Sequence, residues 1–131
     1  AGAEIIPQAR LEPALTIPND AAFRVASDFG AFRQIIIQKN ELNVFSNRHA
    51  DEVLALLPRN GIDDDAEFVV FGVVTEYCVQ FAAEGLLQRG KPVAIVTDAI
   101  KEIDAASGEC SLRGFKSRGA RLITSAQLPA A

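Results

Sequence analysis

Short runs of β-branched apolar residues alternate along this chain with longer segments of helical period. Four runs stand out: Gln34 to Gln38, Glu67 to Val73, Pro92 to Thr97 and Ala120 to Thr124. Ile and Val follow one another in them with little polar interruption, which predicts strands covered on both faces, as in a parallel sheet. Helices are expected between them. Ala50 to Leu57 carries Val53, Leu54, Leu56 and Leu57 and stops at Pro58, with Asn60-Gly61 beyond. Val79, Ala82, Ala83, Leu86 and Leu87 fall at i, i+3, i+4, i+7 and i+8, and Gly90 follows as a C-terminal cap. A third helix is expected within Ser107 to Ser117, closed by Gly119. Strand and helix in repeated alternation predict an α/β fold with a parallel sheet and right-handed crossovers.

Residues 1–30 fit this pattern less well. They hold Pro7, Pro13 and Pro18 and show no clean period, so they are expected to form an irregular connection with a helical turn from Asp20 to Ala26. The βαβαβαβ core is then 31–131. Such a long opening connection is uncommon in a compact domain and suggests that something upstream feeds into it.

The length of 131 residues suits a single domain. Apolar types make up 49% and charged types 23%, the balance of a globular protein. Thirteen basic against 17 acidic residues leave a net charge of −4, and the basic ones are scattered, which argues against a nucleic-acid partner. No apolar run approaches the roughly 20 residues of a membrane span, and no signal-peptide order opens the chain. The expectation is a cytoplasmic protein with reduced thiols and no membrane partner. One His and two Cys cannot supply a tetrahedral zinc site with a usual spacing, so no cofactor or structural metal is expected.

In an open α/β sheet, ligands bind where strands turn into helices at their carboxyl ends. The segment Gly72 to Cys78 is such a turn, and it places Cys78 at the start of the following helix, whose free N–H groups favour a thiolate. Lys39 ends the Gln34 to Gln38 run and is expected on the same sheet edge, where a cation also favours a thiolate. Taken alone, these positions leave two readings open for each residue. Cys78 is a nucleophile or a small core residue; Lys39 is a site cation or a solvated strand end.

The stretch Phe68-Val69-Val70-Phe71-Gly72-Val73-Val74-Thr75-Glu76-Tyr77-Cys78-Val79, with Gly90 and the run ending Thr97-Asp98-Ala99, resembles the signature of the isochorismatase-like cysteine hydrolases. That family includes nicotinamidases, N-carbamoylsarcosine amidases and isochorismatases. The likeness covers roughly residues 33 to 128, and the Gly-x-x-Thr-x-x-Cys-Val turn is specific. Lys39, followed by Phe45, is similar to the family's lysine motif, with Asn43-Val44 in place of the common Ser-Ala.

The resemblance implies a three-layer α/β/α fold with a mostly parallel, Rossmann-like sheet. It implies Cys78 as nucleophile and Lys39 as triad lysine. It further implies a cis bond at Val73–Val74, with the N–H groups of Val74 and Cys78 forming an oxyanion hole. By position alone, Tyr77 is a pocket residue or packs under the turn, and Phe45 contacts a flat substrate or is a core phenylalanine. The implied reaction is hydrolysis of a small amide through a thioester, in the manner of a nicotinamidase; an isochorismatase-type hydrolysis is the alternative.

The family's triad aspartate ends a first strand well upstream of the lysine. Before Lys39, Asp20 follows Pro18-Asn19 and Asp28 lies in Ser-Asp-Phe-Gly, neither of them expected after a strand. Ala1 to Pro7 is similar to the segment that in these enzymes shortly precedes the lysine strand. The implied chain is therefore the carboxyl-terminal portion of such a domain, a homo-oligomer, the companion of a polypeptide that supplies the missing strands, or both; the alternative is a divergent but complete small domain with another carboxylate in the site. Open sheet edges would otherwise favour aggregation. The rival reading is a non-catalytic homologue or a fragment that acts as an assembly partner. His49, at the head of the Ala50 helix, is expected to be exposed, and Cys110 has no activating context.

Overall fold

The computed structural model describes residues 4–130, so Ala1, Gly2 and Ala3 of the first segment lie outside the described residues. Five strands and three α-helices follow in the order β1 (Ala14–Ile17), β2 (Gln34–Ile37), α1 (Ala50–Leu56), β3 (Phe68–Val73), α2 (Gln80–Gln88), β4 (Val93–Lys101), α3 (Ala105–Ser117) and β5 (Arg121–Ile123). Every strand pairing is parallel, as crossovers through helices require.

The strands form two sheets among the described residues, β1–β2 and β3–β4–β5. The first 30 residues therefore do not form only an irregular connection. Ala14-Leu15-Thr16-Ile17 pairs in register with Gln34 to Ile37. This strand is too short to show a period, and the flanking Pro13 and Pro18 read as breakers; both lie outside its ladder. No helix forms between Asp20 and Ala26, where the chain makes only a turn.

Packing follows the helical stripes. Ala83 and Leu86 of α2 and Phe115 of α3 meet Val93 and Ile95 of β4 and Ala120 in one buried cluster. Ile17, Phe29 and Val53 form a second, tying β1 to α1. The opposite face of β3 is open. Val69, Phe71 and Val73 alternate outward, and Phe71 and Val73 are 68% and 66% exposed. The expectation of strands covered on both faces thus does not hold for β3 among the described residues. Its other edge also has no ladder partner there.

β3 and β4 fall out of step as they near the site. Val70 pairs with Ile95 but Gly72 pairs with Ile100, so β3 advances two residues while β4 advances five. Gly72 adopts φ +121°, which a residue with a Cβ rarely takes. This glycine lets the strand bend into the turn that follows.

Candidate active site

The turn after β3 begins with a cis peptide at Val73–Val74 and continues as one π-helical turn, Thr75–Val79, that runs directly into α2. The N–H groups of Tyr77 and Val79 both donate to the Val74 carbonyl, at 3.1 Å each, closing the turn on itself. Thr75 and Val79 are buried and anchor it, which leaves Cys78 half-buried between them. The sulfur therefore stands in the turn before α2 rather than within the helix.

Lys39 lies two residues past β2, and its Nζ donates to Cys78 Sγ at 3.3 Å. The same ammonium donates to the carbonyls of Glu41 and Leu42 at 3.0 Å each, so the loop after β2 holds it in place. No ion pair formed among the described residues includes Lys39. A cavity of about 700 Å³ opens beside it, lined by Arg10, Thr16, Ile36, Gln38, Lys39 and Asn40 among others.

The other candidates are placed differently. Tyr77 is exposed and lines a separate groove of about 430 Å³ between α2 and α3, together with Gln80, Cys110 and Ser111. Phe45 packs against the α2 cluster, where a Cβ added at Gly85 would stand 2.2 Å from its ring, so only glycine admits it. The Arg89 guanidinium stacks over the same ring at 3.7 Å. Neither Phe45 nor Cys78 lines the cavity beside Lys39.

His49 is buried at 8% exposure, contrary to the expectation that it faces solvent. Its Nε2 is 2.7 Å from the Asp20 carbonyl, and its ring meets Phe23 edge-on, because the segment after β1 folds over the head of α1. Asp20 does follow a strand, three residues beyond Ile17, which corrects its placement by sequence. Its carboxylate accepts from the Ala22 N–H at 2.8 Å and forms no ion pair with Lys39.

Two residues that sequence reasoning passed over hold the site. Asn47, 2% exposed, donates from Nδ2 to the carbonyls of Ile17 and Gln38, at 3.2 and 2.6 Å. It clamps the ends of β1 and β2 beside Lys39, and its Oδ1 accepts from the His49 N–H at 2.7 Å. The available signal was a short polar run just before a helix start, where Asn often bonds backbone. Glu76 is the second. Its Oε1 accepts from the N–H groups of Ile103 and Asp104 at 2.8 and 2.9 Å, joining the Cys78 turn to the entry of α3. Burial works against its charge, but backbone N–H groups of Asp104, Glu76 and Ile103 outweigh both that and the nearby Asp104 charge, holding the carboxyl below its usual range.

The protein-family model of the isochorismatase domain matches residues 6–127, nearly the whole chain. The chain belongs to the isochorismatase family. Solved structures agree with that assignment in fold. The pyrazinamidase of Pyrococcus horikoshii, in complex with zinc, is 29% identical with a TM-score of 0.58, over 70% of this chain and 51% of that one. The pyrazinamidase/nicotinamidase of Streptococcus mutans is 23% identical, TM-score 0.59, over 70% and 48%. The YcaC gene product of Escherichia coli, an octameric hydrolase of unknown specificity, is 25% identical, TM-score 0.56, over 70% and 42%.

A comparison with curated proteins returned no match. This isochorismatase-family chain spans about half the length of the solved structures it matches. Among the described residues no three His, Cys, Asp or Glu side chains converge to hold a metal ion.

Proposed function

We propose that this isochorismatase-family chain provides the nucleophile and lysine of a cysteine-dependent hydrolase of small amides. The observation that carries the reading is the 3.3 Å contact between Lys39 Nζ and Cys78 Sγ. The likeness to the Pyrococcus pyrazinamidase, at 29% identity, supports an amide substrate. Within the reading, a carboxylate from outside residues 4–130 takes the Cys78 proton, and the thiolate attacks the amide carbon. The N–H groups of Val74 and Cys78 hold the oxyanion while Lys39 adds positive potential; losing one such donor typically costs ~10²–10³ in rate. The carboxylic acid returns its proton to the departing ammonia. Water, deprotonated by the same carboxylate, then hydrolyses the thioester and regenerates the thiol.

The carboxylate arrives on a strand supplied by an upstream segment or a companion polypeptide. The unpaired edge of β3 and its exposed Val69, Phe71 and Val73 support this, since open edges and apolar faces favour strand addition. The octameric state of the Escherichia coli relative supports a homo-oligomer. A non-catalytic assembly partner is the competing reading, favoured by the lack of a carboxylate on Lys39 among the described residues.

Iodoacetamide labelling near pH 7 separates the two. Cys78 is expected to react about tenfold faster than Cys110. In Lys39→Ala that advantage is expected to vanish. Equal rates for the two cysteines in the unmodified protein would overturn the activated-thiol reading.

A further inference from the structure

We propose that Glu76 is a positioning residue for the nucleophile, clamping the Cys78 turn to the entry of α3 so that the sulfur meets Lys39. This rests on the Cys78–Lys39 reading above. The clamp joins segments distant in sequence: Glu76 stands two residues before Cys78, and its Oε1 accepts from the N–H groups of Ile103 and Asp104. The far side of the clamp is itself fixed, because Asp104 caps α3 by accepting from the Ser107 N–H at 2.8 Å and its hydroxyl at 2.6 Å. One carboxylate oxygen thus ties the nucleophile turn to a capped helix end.

The test compares Cys78 labelling by iodoacetamide at pH 7 and at pH 9.5 in Glu76→Ala, Glu76→Gln and Lys39→Ala, and in the Glu76→Ala/Lys39→Ala double variant. At the higher pH an ordinary thiol is largely ionised, so the rate there reports access, while the rate at pH 7 reports help from the ammonium. Glu76→Ala is expected to lower the pH 7 rate about tenfold and leave the pH 9.5 rate within about twofold. Glu76→Gln keeps an oxygen for both N–H groups and is expected to stay within about twofold of the unmodified protein at both pH values. In the Lys39→Ala background, removing Glu76 is expected to have little further effect, because both changes break the same contact.

Several results would overturn the proposal. One is a Glu76→Ala profile unchanged at pH 7 with only a lower melting temperature. Another is a faster pH 7 rate in Glu76→Gln, which would make the carboxylate charge an opponent of the thiolate. A third is full additivity in the double variant. If the unmodified protein shows no Cys78 advantage over Cys110, the underlying site reading fails instead, and the two failures stay distinct.

Discussion

Cys78→Ala is expected to abolish ammonia release from small amides by the assembled protein, lowering the rate by roughly 10⁴-fold or more, the scale seen when a covalent nucleophile is removed. Under the proposed mechanism no thioester forms without Sγ, and neither the remaining N–H donors nor the Lys39 ammonium can attack a carbonyl carbon. The fold is expected to survive. Cys78 is half-buried and its turn is held by bonds to the Val74 carbonyl and by the buried Thr75 and Val79. Stability should therefore stay within about 0.5 kcal/mol. Ammonia release from a panel of small amides, with thermal melting of both proteins, checks both halves. Residual turnover within tenfold of the unmodified protein would mean that the sulfur is not the nucleophile.

Asn47→Ala is expected to produce the second large effect, on stability and site together. The substitution strands the Gln38 carbonyl and the His49 N–H, while the Ile17 carbonyl keeps the Gln38 N–H at 3.0 Å. Each unsatisfied buried group costs about 1–3 kcal/mol, and partial relaxation brings the expected total to roughly 3 kcal/mol. Because the Gln38 carbonyl precedes Lys39, loosening it also frees the ammonium. Urea unfolding measures the first effect. Cys78 labelling at pH 7 measures the second and should fall toward the Lys39→Ala value. A loss below about 1 kcal/mol, with labelling unchanged, would show that Asn47 is not the clamp that its bonds describe.

Much of the framework was legible along the chain. The runs at Gln34, Glu67, Pro92 and Ala120 became strands, and the stripes at Ala50 and Val79 became helices, because continuous Ile/Val and the i, i+3, i+4 spacing each admit one buried arrangement. Cys78 and Lys39 were marked as candidates by their places at strand ends. Their convergence was not legible, since a gap of 39 residues says nothing of distance until β2 and β3 are set in space.

β1 escaped notice because four residues between prolines show no period of their own, and their pairing with Gln34 to Ile37 is a long-range fact. The burial of His49 is hidden in the sequence for the same kind of reason: it depends on the Asp20 segment crossing the ring. Among the described residues one face of β3 is open, unlike the covering on both faces that a run such as Phe-Val-Val-Phe suggests. Composition records that a surface is apolar, not whether anything covers it.

The amino-acid order by itself determined the parallel α/β plan, the strand-to-helix turn from Gly72 to Cys78, the family signature from Phe68 to Val79, and which thiol and which ammonium to watch. These are local properties of period, backbone freedom and residue type. Only the tertiary structure decided that Lys39 touches Cys78, that Asn47 and Glu76 hold the two sides of that contact, and that Phe45 and Tyr77 lie away from the cavity beside Lys39. Those outcomes depend on which backbone groups and ring faces meet across 20 or more residues of chain, and hydrogen bonding and close packing settle that only when the whole domain folds.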